Sequence, residues 1–250
     1  MSCVYLVNVG ANTSHRARAR SPVFADGSFV YVSFPTKGSH LRGYAAEALP
    51  FLRGVDPNHT HADPCWDDLT YGDDCSNPRA AVLRRVVKSD ILLFWGLLWK
   101  NGGRDWSAFS GERGWYLLGA LRVEEIAVPG QSLQQVSDHN RTRASANPHF
   151  LQGGGVLPPN EHVFLGAPRY SSKFSRAIDL AVTNPVGLMY SAFTSSDGKV
   201  LVHDRQPSWR SSLRSCRGIW DLSDAGARAR AFIVREAIMA STDFDLLEHL

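Results

Sequence analysis

The longest apolar run in this chain, Ile91 to Trp99, is interrupted by Gly96 and has nine residues, against the roughly 20 that a membrane-spanning helix needs. It is the length of a strand, and it begins directly after Asp90. A second apolar run, Trp115 to Ile126, is broken by Gly119 and lies beyond a polar, glycine-rich stretch from Asn101 to Gly114. Together the two runs predict an antiparallel pair joined by a long loop. With 250 residues, 44% hydrophobic and 20% charged, the chain is long enough to bury a substantial core without disulfides. Residues 1–250 are expected to form one domain.

Other segments fill out the architecture. Val4 to Val9 is β-branched and aromatic, stops at Gly10, and predicts a buried strand. Ser28 to Phe34 predicts a second strand after the turn Ala25-Asp26-Gly27. Tyr44 to Arg53 and Arg79 to Val87 are short helix candidates, and Asp56 to Pro78 is a long polar loop with three prolines. Gln131 to Pro159 is poor in apolar residues and carries Gly153-Gly154-Gly155, which predicts a flexible segment. His162 to Leu165 and Lys199 to His203 are strand candidates, and Lys173 to Ala181 is a helix candidate. The clearest helix is Ala225 to Ala240, with Ala227, Ala231, Val234 and Ile238 on one face. Strands and helices without regular alternation predict an α+β fold with a mixed or antiparallel sheet and flanking helices.

Charge is segregated more than it is unbalanced. The formal net charge is only +3, too small for a polybasic nucleic-acid binder. Asp56 to Asp74, however, holds six Asp and no Lys or Arg, while Arg16, Arg18 and Arg20 crowd the start and Arg205, Arg210, Arg214 and Arg217 the end. Basic regions suit phosphate and an acidic one suits a metal or a cation. The four cysteines, Cys3, Cys65, Cys75 and Cys216, form no C-x-x-C pair, and the opening MSCVYLVNVG lacks the basic segment of a secretory signal. The cytoplasm is the expected compartment, and no membrane partner is expected.

Four constellations carry candidate chemistry. After the first strand come Asn8, Gly10, Asn12 and His15; a turn at glycine with two amides offers the paired donor and acceptor that a base edge requires. In the acidic loop, His59, His61 and Asp63 share one face if the segment is extended, a possible divalent-metal set. His61 and Asp63, with Tyr71 and Asp73 nearby, are equally open to metal-free acid–base work. Trp95, with other aromatics of the strand pair, could stack on a base. The stretch His203 to Arg217 interleaves Arg205, Arg210 and Arg214 with Trp209 and serines, a pattern that suits a phosphodiester backbone. No Walker or dinucleotide fingerprint is present. A divalent metal is the one cofactor for which candidate ligands stand out.

The strand pair over residues 88–128 resembles the small barrel of the PUA-like superfamily, which implies nucleic-acid binding and, in some members, reception of a flipped base. As a set, V-N-V-G-A-N-T-S-H-R, P-V-F-A-D-G-S-F, H-A-D-P with L-T-Y-G-D, and D-I-L-L-F-W-G with W-Y-L-L-G-A-L resemble the third type of nucleotide-modification-associated domain, over roughly residues 4–180. That resemblance implies a role in phage or bacterial DNA modification, with DNA or a nucleotide and other components of such a system as partners. Asn8, Asn12 and His15 would then orient a base or sugar, Asp26 would fix the first loop, and His61, Asp63, Tyr71 and Asp73 would supply acid, base or metal chemistry. Two other readings stand beside an enzyme: a non-catalytic PUA-like reader of modified or flipped bases, and a metal-dependent nuclease. His61 and Asp63, polar residues in a proline-bounded loop, are expected to lie outside the core.

Overall fold

The computed structural model describes residues 2–10, 18–36, 42–180 and 216–248. The expected antiparallel pair is its centre. Strand β6 (Ile91–Asn101) and strand β7 (Phe109–Ala127) pair antiparallel from Ile91 opposite Arg122 to Asn101 opposite Phe109. The loop between them is shorter than expected, because β7 starts at Phe109, after a single 3-10 turn.

Strand β1 (Cys3–Val9) runs parallel to β6 on its other edge, and β10 (Cys216–Asp221) pairs antiparallel with β1. On its far edge the long β7 accepts both β9 (Ser172–Asp179) and β8 (Glu161–Gly166), and β8 pairs in turn with β5 (Thr70–Asp74). A two-residue β2 (Pro22–Val23) extends β1's edge of β6. The fold is α+β with a mixed, eight-stranded sheet in the order β10-β1-β6-β7-β8-β5, with β2 and β9 branching from it. The sheet does not close, so the PUA-like small barrel expected over 88–128 does not form; β10 and β5 stay at opposite edges.

Both faces of the sheet are covered, which explains a β6 sequence that is apolar throughout. Leu93, Trp95, Leu97 and Trp99 point to one side and Leu92, Phe94 and Leu98 to the other. The first side packs under the helix Ala225–Ser241, through Ala227, Ala231, Val234 and Ile238. On the second side lie Tyr5, Val7, Tyr71, Leu83 and Phe164. No helix among the described residues is long and apolar enough to cross a membrane.

Several expectations fail locally, each for a physical reason. Lys173 to Ala181 is not a helix but contains most of β9; Phe174 and Ile178 are four residues apart, an even spacing that suits a strand as well as a helix. Ser28 to Phe34 does not form a continuous strand. Ser21 Oγ accepts from Val32 N at 2.9 Å and bonds its carbonyl at 3.3 Å, replacing ladder bonds with a side chain. The two short helix candidates are 3-10 turns, Ala46–Phe51 and Ala81–Arg85. The segment expected to be flexible holds helices α1 (Asp138–Ser145) and α2 (Pro148–Gln152), which pack Ala144 and Phe150 against Val163 and Leu165. Even the acidic loop contains β5 and the short β4 (Thr60–His61), which pairs with β3 (Phe34–Pro35) as a ribbon. Lys199 to His203 lies outside the described residues.

Candidate functional site

The acidic segment enters its ribbon through a turn. Asp56 Oδ1 accepts from Asn58 N at 2.9 Å, and Asp56 Oδ2 lies 2.8 Å from His59 Nδ1. That turn leaves His59 half-buried and outside β4, and it is not grouped with His61 and Asp63, so the expected shared face of His59, His61 and Asp63 does not form. His61 does stay in the ribbon, stacked on Phe34 with ring centroids 4.9 Å apart. Beyond it Asp63 turns inward and is only 3% exposed, contrary to the expectation for a polar loop residue.

The structure gives Asp63 a partner that is 86 residues away. His149 Nε2 lies 2.8 Å from Asp63 Oδ2, and His61 Nε2 lies 3.1 Å from the same oxygen. The other carboxylate oxygen accepts from Gly72 N at 2.9 Å. On its far side, His149 Nδ1 meets Glu161 Oε2 at 2.7 Å. The result is a chain of four side chains, Glu161–His149–Asp63–His61, that joins β8, α2 and the end of the ribbon.

Local sequence chemistry holds His149 in place. Asn147 caps α2, accepting from His149 N at 3.0 Å, and its amide donates to Thr70 Oγ1 at 3.0 Å. Pro148 occupies the first turn, where a missing N–H costs nothing. The absent side chain of Gly72 leaves the space that the imidazole fills, since a Cβ there would sit 2.2 Å from the His149 ring. The Asn-Pro pair is a recognisable helix start, and it is the one signal by which the sequence could have drawn attention to His149.

Burial alone would make both central groups neutral, but their mutual bonds reverse this. Burial pushes the Asp63 carboxyl up, and the hydrogen bonds from His149 and His61 outweigh it and hold the group below its ordinary range. Burial likewise pulls His149 down, yet its bonds to Asp63 and Glu161 raise it to about 10.

Tyr71 and Asp73 are not brought into this chain. They alternate with Thr70 and Gly72 along β5, so Tyr71 points into the sheet core against Phe94 and Phe164, its hydroxyl donating to Asp73 Oδ2 at 2.6 Å. Trp95 is fully buried, packed on Trp115 beneath the C-terminal helix, and so belongs to the core and not to a ligand surface. Asn8 is buried in β1, where its amide donates to the Trp95 carbonyl at 3.3 Å. Asp26 is exposed and closes its own turn by accepting from Ser28 N and Oγ at 2.9 and 2.6 Å. Asn12, His15, Arg205, Arg210 and Arg214 lie outside the described residues.

A cavity of about 590 Å³ lies beside the ribbon, lined in part by Thr60, Ala62 and Pro64, which alternate with His61 and Asp63. This volume falls in the range of small-molecule sites. Tyr31, Tyr44 and Trp66 supply aromatic wall, and Arg42, Lys173, Glu47 and Asp67 supply charge. Both cations already have acidic partners: Arg42 meets Asp68 at 2.9 Å and Lys173 meets Glu47 at 3.5 Å. Cys65 also lines it, but burial pushes its thiol up to about 12, and it donates to Asp68 at 3.1 Å, so it is no nucleophile at neutral pH.

Two glycines shape the cavity wall. Gly10 follows β1 with a positive φ of 81°, and a Cβ on it would lie 3.2 Å from the Tyr31 ring. Gly119 of β7 makes room for Trp66, since a Cβ there would fall 2.5 Å from that ring. Tyr31 connects cavity and cluster, its hydroxyl donating to the Asp63 carbonyl. Tyr31, Tyr44, Trp66, His149 and Glu161 were not legible as site residues in the sequence.

Comparison with curated proteins and with solved structures returns no significant match. A family profile does match, over residues 4–218. The chain belongs to the family described as nucleotide modification associated domain 3, which ties it to nucleotide modification.

Proposed function

We propose that this protein recognises a nucleobase or nucleotide in DNA by enclosing the base in the cavity beside the ribbon, as a component of a DNA-modification system. The observation that carries the reading is the cavity of about 590 Å³, walled by the rings of Tyr31, Tyr44 and Trp66, in a chain whose family is tied to nucleotide modification. An aromatic face accepts any base, and stacking on it is worth roughly 1–3 kcal/mol per base. Burial pushes the Tyr44 phenol up, and a hydrogen bond with Thr60 offsets it only in part, so the phenol stays protonated.

Aromatic walls with ion-paired cations suit the neutral base better than a free phosphate. A base within duplex DNA would reach the cavity only by leaving the stack, with a cost of a few kcal/mol. A pure reader needs only this cavity, whereas an enzyme also needs the His61–Asp63–His149 chain behind it.

Calorimetry with nucleosides, nucleoside monophosphates and single-stranded oligonucleotides tests the reading. Tyr44→Ala and Trp66→Ala each remove one aromatic wall, and each is expected to weaken binding roughly 5- to 150-fold, the worth of one base stacked on a ring. Undetectable binding of all these ligands, or equal affinity in both variants, overturns it.

A further inference from the structure

We infer that His61, Asp63 and His149 form a divalent transition-metal site, with Glu161 as the carboxylate that orients His149. One ligand atom from each of the three lies within 4.8 Å of the others. The two imidazoles direct Nε2 at the same Asp63 oxygen, at 2.8 and 3.1 Å. In a tetrahedral site with bonds near 2.0–2.1 Å, neighbouring donors stand about 3.3 Å apart. An ion therefore requires the side chains to adjust: the two short contacts open by a few tenths of an ångström and the widest pair, within 4.8 Å, closes by up to about 1.5 Å.

The surroundings have the features a metal site requires. A metal-bound imidazole donates its other N–H to a carboxylate, which sets tautomer and ring direction; His149 Nδ1 meets Glu161 Oε2 at 2.7 Å. Asp63 Oδ1 is held by Gly72 N at 2.9 Å, which leaves Oδ2 for the ion. Asp63 and Glu161 together carry two negative charges, which balance a divalent cation with both imidazoles neutral. Two imidazoles and one carboxylate suit zinc, iron(II), cobalt(II) or manganese(II) better than calcium or magnesium. Three protein donors leave further positions for water or a substrate oxygen.

The inference does not rest on the nucleotide assignment. Its test uses tag-free full-length protein, stripped with a chelator and then dialysed against zinc(II) or cobalt(II). One equivalent of metal is expected to be retained, with the visible absorption of cobalt(II) bound to nitrogen and oxygen donors. His61→Gln and Asp63→Asn, with folding checked by circular dichroism, are expected to abolish that absorption. Glu161→Gln is expected to retain the site and weaken zinc affinity 10- to 100-fold, the usual effect of losing an orienting partner. Wild-type protein that retains well under one equivalent overturns the assignment and leaves the four side chains as a hydrogen-bonded network. A cobalt spectrum unchanged in folded His61→Gln and Asp63→Asn also overturns it.

Discussion

The central strands and the acidic segment obey different rules. In β6 the side chains alternate between two apolar layers, and Leu92, Leu93 and Phe94 are inaccessible to solvent and placed by packing on their neighbours. In the segment 56–74 almost every placement depends on an individual bond: Asp56 to its own turn, Asp63 to Gly72, His61 and His149, and Tyr71 to Asp73. Apolar packing is redundant, since each ring touches many neighbours. A polar site is not, because losing one partner strands another. Substitutions in the first region should therefore change stability alone, and those in the second should change the site out of proportion to stability.

The largest expected effect is in the core. Trp95→Ala should lower unfolding free energy by about 3–5 kcal/mol, measured by denaturant titration, while the folded fraction keeps its ligand affinity. A loss of affinity in folded Trp95→Ala protein would mean that the two regions are not separable. Next, Asp63→Ala leaves His149 with only Glu161 as a charge partner, and a broken buried pair costs roughly 3 kcal/mol or more. A cost under 1 kcal/mol in the same titration would contradict the bonding described for this carboxylate.

Gly72→Ala sharpens the contrast, because it removes no polar group. The added methyl would meet the His149 ring at 2.2 Å, so α2 must shift, at about 1–3 kcal/mol. Chelator-resistant metal should be lost with it.

The smallest effect is on pH dependence. In metal-free protein His149 titrates at about 10, above its ordinary 6.5. The folded state thus binds its proton more tightly, so this contribution to stability is complete below pH 6.5 and disappears as pH rises through 10. Asp63, held low, contributes with the opposite sign, its share being lost as pH falls below the ordinary carboxylate range. Unfolding measured at pH 7 and pH 10 should show a decrease that His149→Gln abolishes.

Periodicity made the frame of the fold legible. Val4 to Val9, Ile91 to Trp99, Trp115 to Ile126 and the C-terminal helix all stand where their apolar patterns predicted, because burial on a sheet face or helix stripe leaves a repeating mark on the chain. The same reasoning placed Trp95 among ligand groups, since an aromatic residue in a strand has the same pattern whether it faces a ligand or a neighbouring helix. His61 and Asp63 were legible as chemistry-bearing residues, but His59 was grouped with them only because residue spacing does not show where a strand begins.

Tertiary structure alone decided the partners. His149 and Glu161 lie in segments whose local composition marks a polar connection and a strand end, and nothing in their neighbourhoods points to Asp63. The pairing is made by β5 lying against β8 and by α2 packing beside them. The two glycines have the same lesson: Gly72 and Gly119 look like weak points in strands, yet each is the space that a distant ring occupies. Local sequence encodes which face of an element is buried. Which polar groups meet across the fold depends on how the buried faces stack, and that information is distributed over the whole chain.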